Sequence, residues 1–499
     1  MWRAAAIVGL LGCGRIGFDA VVPASSACLP ADAGADAVGN ASATTYHVAT
    51  TGDDTRTCAA AMSAATPLQT IVHALGCLGA GDTLVVHGGV YAEEIDSEVV
   101  PIQGGTSWDT ATHIVAAPGE MPIIRPPPGS GRVLSLVSLQ ASYLVFDGFV
   151  FDNQNGASAG NAAVKVSDGA NTSEFSSHIR FVRSEIMNSP SAGFYANVGS
   201  DIQLIEVRVH DNGTVDPMDK DGIHLAVPNS LIERCDVYNN TGIGIELYDD
   251  IVAVSNTVVH YNTIHDNTSE RGIYAGGAGA TNDTIERNVV WNNSGGITVT
   301  ADGSRVDHNT IVANAGSFGF CIETGAAAAV LADNICWKNP NGIVVSGGTA
   351  MQMANLMTDP MFVDEAAHDY DLQPGSPAIN MGVVIAGMTY VGAPDIGAFE
   401  QPLATGAQIG CGGADVEVAV SAAFPPLRVP ASCDGLTVSS LPLGECRADA
   451  TTLYIGLVDK VPPGTTLSVD YSGGTVTDSL LVGNTSSARL APFSQLLGP

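Results

Sequence analysis

From Gly193 to Gly342 the chain keeps returning to one short pattern: a glycine, an apolar residue, a variable residue and a second apolar residue, as in Gly222-Ile223-His224-Leu225. Copies begin at Gly193, Gly222, Gly244, Gly272, Gly296, Gly319 and Gly342, with spacings of 29, 22, 28, 24, 23 and 23 residues. Apolar residues that alternate with a variable one make a strand with one buried face. A repeat of this length built from such strands predicts a solenoid, here a parallel β-helix, and the fold class is all-β. The apolar pair of each copy faces inward and the variable residue outward. Coils stack about 4.8 Å apart, so the variable residues form an outward ladder: Tyr195, His224, Glu246, Tyr274, Thr298, Cys321 and Val344. Ala192, Asp221, Ile243, Arg271, Gly295, Phe318 and Asn341 precede the glycines and flank it. Polar character gathers in the first four coils, which a purely structural stack does not require.

A second column runs through the same coils. Asn262, Asn288, Asn309 and Asn334 align, with Ser184, Val207 and Cys235 in the equivalent place earlier. A buried amide needs partners, and an identical amide one coil away supplies them. These asparagines are read as structural. Asn212, Asn240, Asn267, Asn293, Asn314 and Asn339 form an outer set, expected at turns where asparagine tolerates a left-handed backbone.

Before the array, Thr66-Pro67 predicts a helix start, with Leu68, Ile71, Val72, Leu75 and Leu78 at helical spacing and Gly79 ending it. Such a helix is expected to cap the open end of the solenoid. The tail changes to alternating segments around 451–457, 461–471 and 478–484, which predicts a β-sandwich. The expected organisation is a signal peptide over 1–12, a linker over 13–43, the β-helix over 44–402 and the sandwich over 405–499.

Composition narrows the partners. The chain has 499 residues, 19 basic and 51 acidic, for a net charge of −32. A broad nucleic-acid surface is excluded on that balance. Gly12 to Gly17 spells GxGxxG, but no helix pattern follows, so a dinucleotide loop is not expected. Arg3 and the apolar run from Ala4 to Leu11 read instead as an export signal. Export makes disulfides possible, and Cys58 with Cys77 are candidates to pair. Cys235 and Cys336 read as small buried residues. A monomer is expected.

Several segments resemble known families. Leu10-Leu11-Gly12-Cys13 resembles a bacterial lipobox, which implies lipidation of Cys13, a membrane anchor and an outer-membrane or cell-surface lipoprotein. The array resembles the right-handed parallel β-helix family of secreted polysaccharide lyases and epimerases. Residues 46–91 are similar to the N-terminal cap of that group. Asn355, Asp359-Pro360, Gly375 to Asn380 and Asp395 to Glu400 resemble a choice-of-anchor ending, and 405–499 a bacterial immunoglobulin-like module.

The resemblance implies a polysaccharide partner and gives the polar ladder a chemical reading. The eight residues Thr214 to Asp221 extend the longest spacing and form a candidate loop beside the ladder. Removing the proton beside a sugar carboxylate needs a base, here Lys220 or His224. Arg271 or Ca²⁺ neutralises the carboxylate, and Tyr274 donates a proton. Tyr195, Glu246 and Arg271 are candidate substrate contacts. Asp216, Asp219 and Asp221 are candidate Ca²⁺ ligands. Asp216-Pro217-Met218-Asp219 resembles the Asp-Pro-His-Glu motif of mannuronan epimerases, with Met218 and Asp219 replacing its last two residues. Hydrolysis by a carboxylate pair, a non-catalytic surface adhesin and a structural envelope protein are the alternative functions.

Overall fold

The computed structural model describes residues 43–399, apart from 138–140, 157–161, 168–174, 217–219, 268, 374 and 386–392, and beyond 400 chiefly strand segments. The predicted signal, linker and Cys13 lie outside the described residues, as does Asp219.

Residues 45–353 form a parallel β-helix. Each coil contributes one strand to each of three parallel sheets, of 12, 10 and 10 strands. One coil, for example, runs through Leu231–Glu233 in the first sheet, Asp236–Tyr238 in the second and Ile245–Tyr248 in the third. The third sheet holds the glycine repeat. Its inward residues Ile223, Leu225, Ile245, Leu247, Ile273 and Ile297 stack in fully buried columns.

Corners explain much of the sequence. Between the first and second strands the chain takes a left-handed residue (Glu206, Arg234, Tyr261, Arg287, His308, Asp333), and the Asn262 column follows directly. At the next corner the left-handed residues are Asp211, Asn239, Asp266, Asn292, Ala313 and Lys338. The outer asparagines were expected to hold that conformation; they sit one residue later. They form a second buried ladder instead, in which Asn240 Nδ2 donates to Asn267 Oδ1 (3.1 Å) and Asn267 Nδ2 to Asn293 Oδ1 (2.9 Å). This ladder also explains the glycines. A Cβ on Gly222 would lie 2.6 Å from Asn240 Nδ2 and 2.7 Å from the Gly244 carbonyl. Only a residue without a side chain lets the strand start so close to the amides.

The predicted helix exists but is shorter. It spans Ile71–Leu75, its N-cap is Thr70 rather than Thr66, and it packs against strands Thr45–Val48 and Thr83–Val86. Leu68 is not helical, because it bridges Val48: Leu68 N donates to His47 O, and Ala49 N to Leu68 O. Cys58 and Cys77 are disulfide-bonded. Cys321 and Cys336 form a second bridge, so Cys336 is not the free buried thiol expected of it; Cys235 is. After the last coil, Phe362, Tyr370, Leu372 and Ile396 pack with Val289, Trp291, Val312 and Ile335 of the second sheet. The described strands beyond residue 400 belong to a separate unit and pair antiparallel, including a four-stranded sheet over Ala404–Ile409, Asp415–Val420, Thr452–Leu457 and Leu443–Ala448.

Two electrostatic features of the stack carry predictions. His210, Tyr238, His265 and Trp291 of the second sheet stack ring on ring, and His368 from beyond the last coil continues the stack, with rings 3.8–5.0 Å apart. His210 lies between Glu185 and Asp211, both at 2.7 Å, and His265 between Asp236 (3.2 Å) and Asp266 (2.7 Å). Burial opposes charge on these rings, but the carboxylates outweigh it and raise both pKa values. A raised histidine contributes stability that is complete below its unfolded pKa of about 6.5 and is lost as pH rises through the folded value. The melting temperature should therefore fall as pH rises above about 6.5, and His265→Gln should flatten that fall by a few degrees. An identical fall in the variant would refute the assignment.

Asp283 is fully buried where the chain turns into the first sheet. Its Oδ1 accepts from Thr257 N at 3.0 Å, and its Oδ2 has no partner. Burial pushes its pKa up to about 7. The unfolded chain ionises first, so stability falls as pH rises from about 4 to about 7. Asp283→Asn keeps the acceptor and removes the buried charge. It should stabilise the fold by roughly 2 kcal/mol at pH 8 and by much less at pH 5, read by denaturant unfolding.

Candidate functional site

The outward ladder forms in the predicted register through five coils: Tyr195 pairs with His224, His224 with Glu246, Glu246 with Tyr274, and Tyr274 with Thr298. It then departs from expectation. Thr298 pairs with Glu323, not Cys321, and Glu323 with Val344. Cys321 occupies the glycine slot, fully buried, where its sulfur reaches Cys336.

Beside the ladder lies an open groove of about 360 Å³, whose lining includes Lys220, Asp221, Glu246, Glu270, Arg271 and Tyr274. Lys220 forms no ion pair among the described residues, although its own backbone is tied down by Gly242 N donating to its carbonyl (2.8 Å). Arg271 is braced from three sides. Its Nε donates to Thr298 Oγ1 (2.9 Å), its Nη1 pairs with Glu270 (3.1 Å), and its guanidinium lies 4.1 Å from the Phe318 ring and 5.5 Å from the Tyr274 ring. Tyr274 hydroxyl stands 3.4 Å from Thr300 Oγ1. The structure thus brings Lys220, Arg271, Tyr274 and Glu246 to the lining of one groove.

His224 is not with them as a groove-facing base. It holds the outward register, but its side chain is only 8% exposed. Tyr195 stacks over its ring at 4.9 Å, and carboxylates enclose it: Glu246 at 2.8 Å and Asp221 at 3.8 Å from Nδ1, Asp250 at 3.4 Å from Nε2. A base must reach the substrate proton, and a ring so covered does not. Burial opposes its charge, but the three carboxylates raise its pKa well above that of a free imidazole. Asp221 is buried beside Glu246, and both conditions raise its pKa, while Ile243 N donating to its Oδ1 (2.6 Å) works the other way.

Of the three predicted Ca²⁺ ligands, the structure describes Asp216 and Asp221. Asp216 is buried and fastens its loop, accepting from Ser191 Oγ (3.0 Å) while its amide donates to Pro190 O (2.8 Å). Asp219 lies outside the described residues. Among the described residues, the group with metal-ligand spacing is Asp221, His224 and Glu246, whose donor atoms all lie within 4.8 Å of one another.

Two residues given no site role from the sequence also stand here. Asp250 accepts from Tyr195 hydroxyl (2.6 Å) and faces His224; His224 and Tyr195 hold its pKa down. Lys165 pairs in register with Tyr195, with Nζ 5.1 Å from that ring. Its coil lacks the glycine that marks the others, and only the alternation Val164-Lys165-Val166 signals it. Neighbouring Asp249 is a brace, accepting from Val254 N (2.8 Å) and Gly279 N (2.6 Å).

Comparison with known proteins agrees with this architecture. A family model described as a right handed beta helix region matches residues 143–311. A curated relative, the uncharacterized protein YwoF of Bacillus subtilis, is 28% identical over 205 residues, which is 38% of this chain and 40% of the relative. The chain thus spans well under half the length of that relative. Among solved structures, pectate lyase Pel9A aligns with 71% of this chain and 96% of its own at a TM-score of 0.51 and 17% identity. A rhamnogalacturonan lyase aligns with 68% of this chain and 96% of its own, with a TM-score of 0.49 and 15% identity. At such identity the likeness to Pel9A shows the fold alone: the solenoid is a right-handed parallel β-helix.

Proposed function

We propose that this protein processes an acidic polysaccharide by abstracting the proton beside a uronate carboxylate. The observation that carries the reading is the meeting of Lys220, Arg271 and Tyr274 in one open groove. The chain has only four lysines, and two of them, Lys165 and Lys220, stand at this ladder in a protein of net charge −32. A right-handed β-helix shared with a pectate lyase supports it.

In the proposed reaction Arg271 holds the carboxylate, so that charge developing on the carbanion-like intermediate is stabilised. Lys220 Nζ takes the C5 proton. In a lyase the C4–O bond then breaks, C4=C5 forms, and Tyr274 hydroxyl supplies the proton for the leaving oxygen. In an epimerase Tyr274 returns a proton to the opposite face of C5. A divalent ion at the groove floor would share the carboxylate charge with Arg271. Export with a lipid anchor at Cys13 is part of the same proposal, because a polymeric substrate lies outside the cell.

The test is incubation of the full chain with a panel of polygalacturonate, alginate and other uronate polymers in D₂O. Ultraviolet absorbance of unsaturated ends identifies a lyase, and deuterium at C5 without cleavage an epimerase. If no polymer gives either product, the reading fails, and glycan binding alone would then favour the adhesin alternative.

A further inference from the structure

We propose that Asp221, His224 and Glu246 bind a first-row divalent transition ion, of the Zn²⁺ or Mn²⁺ type, beneath the floor of the groove. The inference does not depend on the proposed reaction. It begins with His224. The ring is more than nine-tenths buried, yet neither nitrogen has a hydrogen-bond partner. Carboxylate oxygens stand 2.8, 3.4 and 3.8 Å away, but none lies along an N–H direction. A buried imidazole that existed only to pair with these acids would aim its protons at them. His224 Nδ1 lies 2.8 Å from Glu246 and 3.8 Å from Asp221, with the donor atoms of all three within 4.8 Å of one another.

The surroundings fit an ion. Asp221 and Glu246 are also largely buried, with side-chain exposures of 8% and 16%. Two carboxylates brought so close are costly without a cation between them. His224 and Glu246 pair in register on adjacent coils, so the sheet sets their spacing, and Asp221, just before the His224 strand, is held by Ile243 N donating to its Oδ1 (2.6 Å). An outer layer is in place as well. Asp250 stands 3.4 Å from Nε2, the far nitrogen of a ring ligated through Nδ1, and Tyr195 hydroxyl donates to Asp250. Metal-bound histidines commonly carry such a partner on the far nitrogen.

Donor type selects the ion. Ca²⁺ is held by six to eight oxygens. One imidazole nitrogen with two carboxylates suits Zn²⁺, Mn²⁺ and their neighbours. The site therefore shares Asp221 with the all-aspartate Ca²⁺ site expected from the sequence but takes a different ion. Three protein donors leave room for water or a substrate oxygen on the groove side, where Asp221 and Glu246 form part of the lining.

The experiment is calorimetric titration of the chelator-treated full chain with Zn²⁺, Mn²⁺ and Ca²⁺ separately, without any polysaccharide. One site per chain is expected for Zn²⁺ or Mn²⁺, tighter than for Ca²⁺. Glu246→Gln should weaken it about 100-fold, and Asp250→Asn about 10-fold or more. His224→Gln should abolish the preference over Ca²⁺; circular dichroism checks that each variant is folded. With ten other histidines in the chain, uptake that Glu246→Gln and His224→Gln leave unchanged would place the ion elsewhere and overturn the proposal. So would the absence of saturable Zn²⁺ and Mn²⁺ binding, or a Ca²⁺ preference. Loss of the metal site with retained lyase or epimerase activity would separate this inference from the proposed function.

Discussion

Asn309→Ala should destabilise the β-helix by about 4 kcal/mol, far more than any exposed asparagine. Asn309 is fully buried and central in its ladder. Its Oδ1 accepts from Asn288 N (2.9 Å) and Asn288 Nδ2 (3.0 Å). Its Nδ2 donates to Ile285 O, Asp307 O and Asn334 Oδ1. Alanine leaves the Asn288 amide and the Ile285 carbonyl unsatisfied, at about 1–3 kcal/mol each, and opens a cavity as well. Asn309→Asp is no remedy, since it restores the acceptor but buries a charge among carbonyls. Equilibrium denaturation and limited proteolysis provide the readout. The control is Asn256→Gly, an exposed position whose left-handed backbone glycine accepts. Equal effects of the two variants would mean that the ladder is decoration.

Lys220→Ala should lower the turnover of the uronate polymer by about 10³-fold with little change in KM, within the range that a positioned base contributes. The amine forms no competing ion pair among the described residues, so its removal orphans no partner and should not cost stability. Arg271→Lys tests the other half of the scheme. A lysine keeps the charge but loses the planar fork that Thr298, Glu270 and Phe318 hold in place, so KM should rise. A Lys220→Ala protein that retains full turnover would remove Lys220 as the base. An unchanged KM in Arg271→Lys would remove Arg271 as the carboxylate contact.

The repeat was legible because its causes are local. Glycine is forced at the strand start by the amide ladder behind it, and alternation follows from one buried face. The register from Tyr195 to Thr298 could be counted directly. Counting failed where Gly319-Phe320-Cys321-Ile322 imitates the repeat. The coil sits two residues further along, with Cys321 in the glycine slot and Glu323 outward. The outer asparagines misled for a related reason: the left-handed residue is the one before each, and its identity varies from Asp211 to Ala313 to Lys338. His224 shows a different limit. Its outward position is readable from its own strand, but its burial depends on Tyr195 from the coil before and Asp250 from the turn after. Asp216 likewise reads as an exposed loop acid until Ser191 and Pro190 are brought against it.

The two amide ladders have an evolutionary consequence. From Asn262 to Asn334 each coil offers its neighbours the same hydrogen bonds, so a whole coil there can be duplicated or deleted without either junction losing a partner. Growth by such steps is neutral for the fold but not for the chemistry. Asp221, His224 and Glu246 belong to adjacent coils, and a unit inserted between His224 and Glu246 would separate them by another rise of about 4.8 Å. A unit inserted beyond Thr298 would leave them untouched. Descendants of this chain are thus free to differ in length toward the C-terminal coils, while the stretch from Tyr195 to Thr298 is confined to substitution.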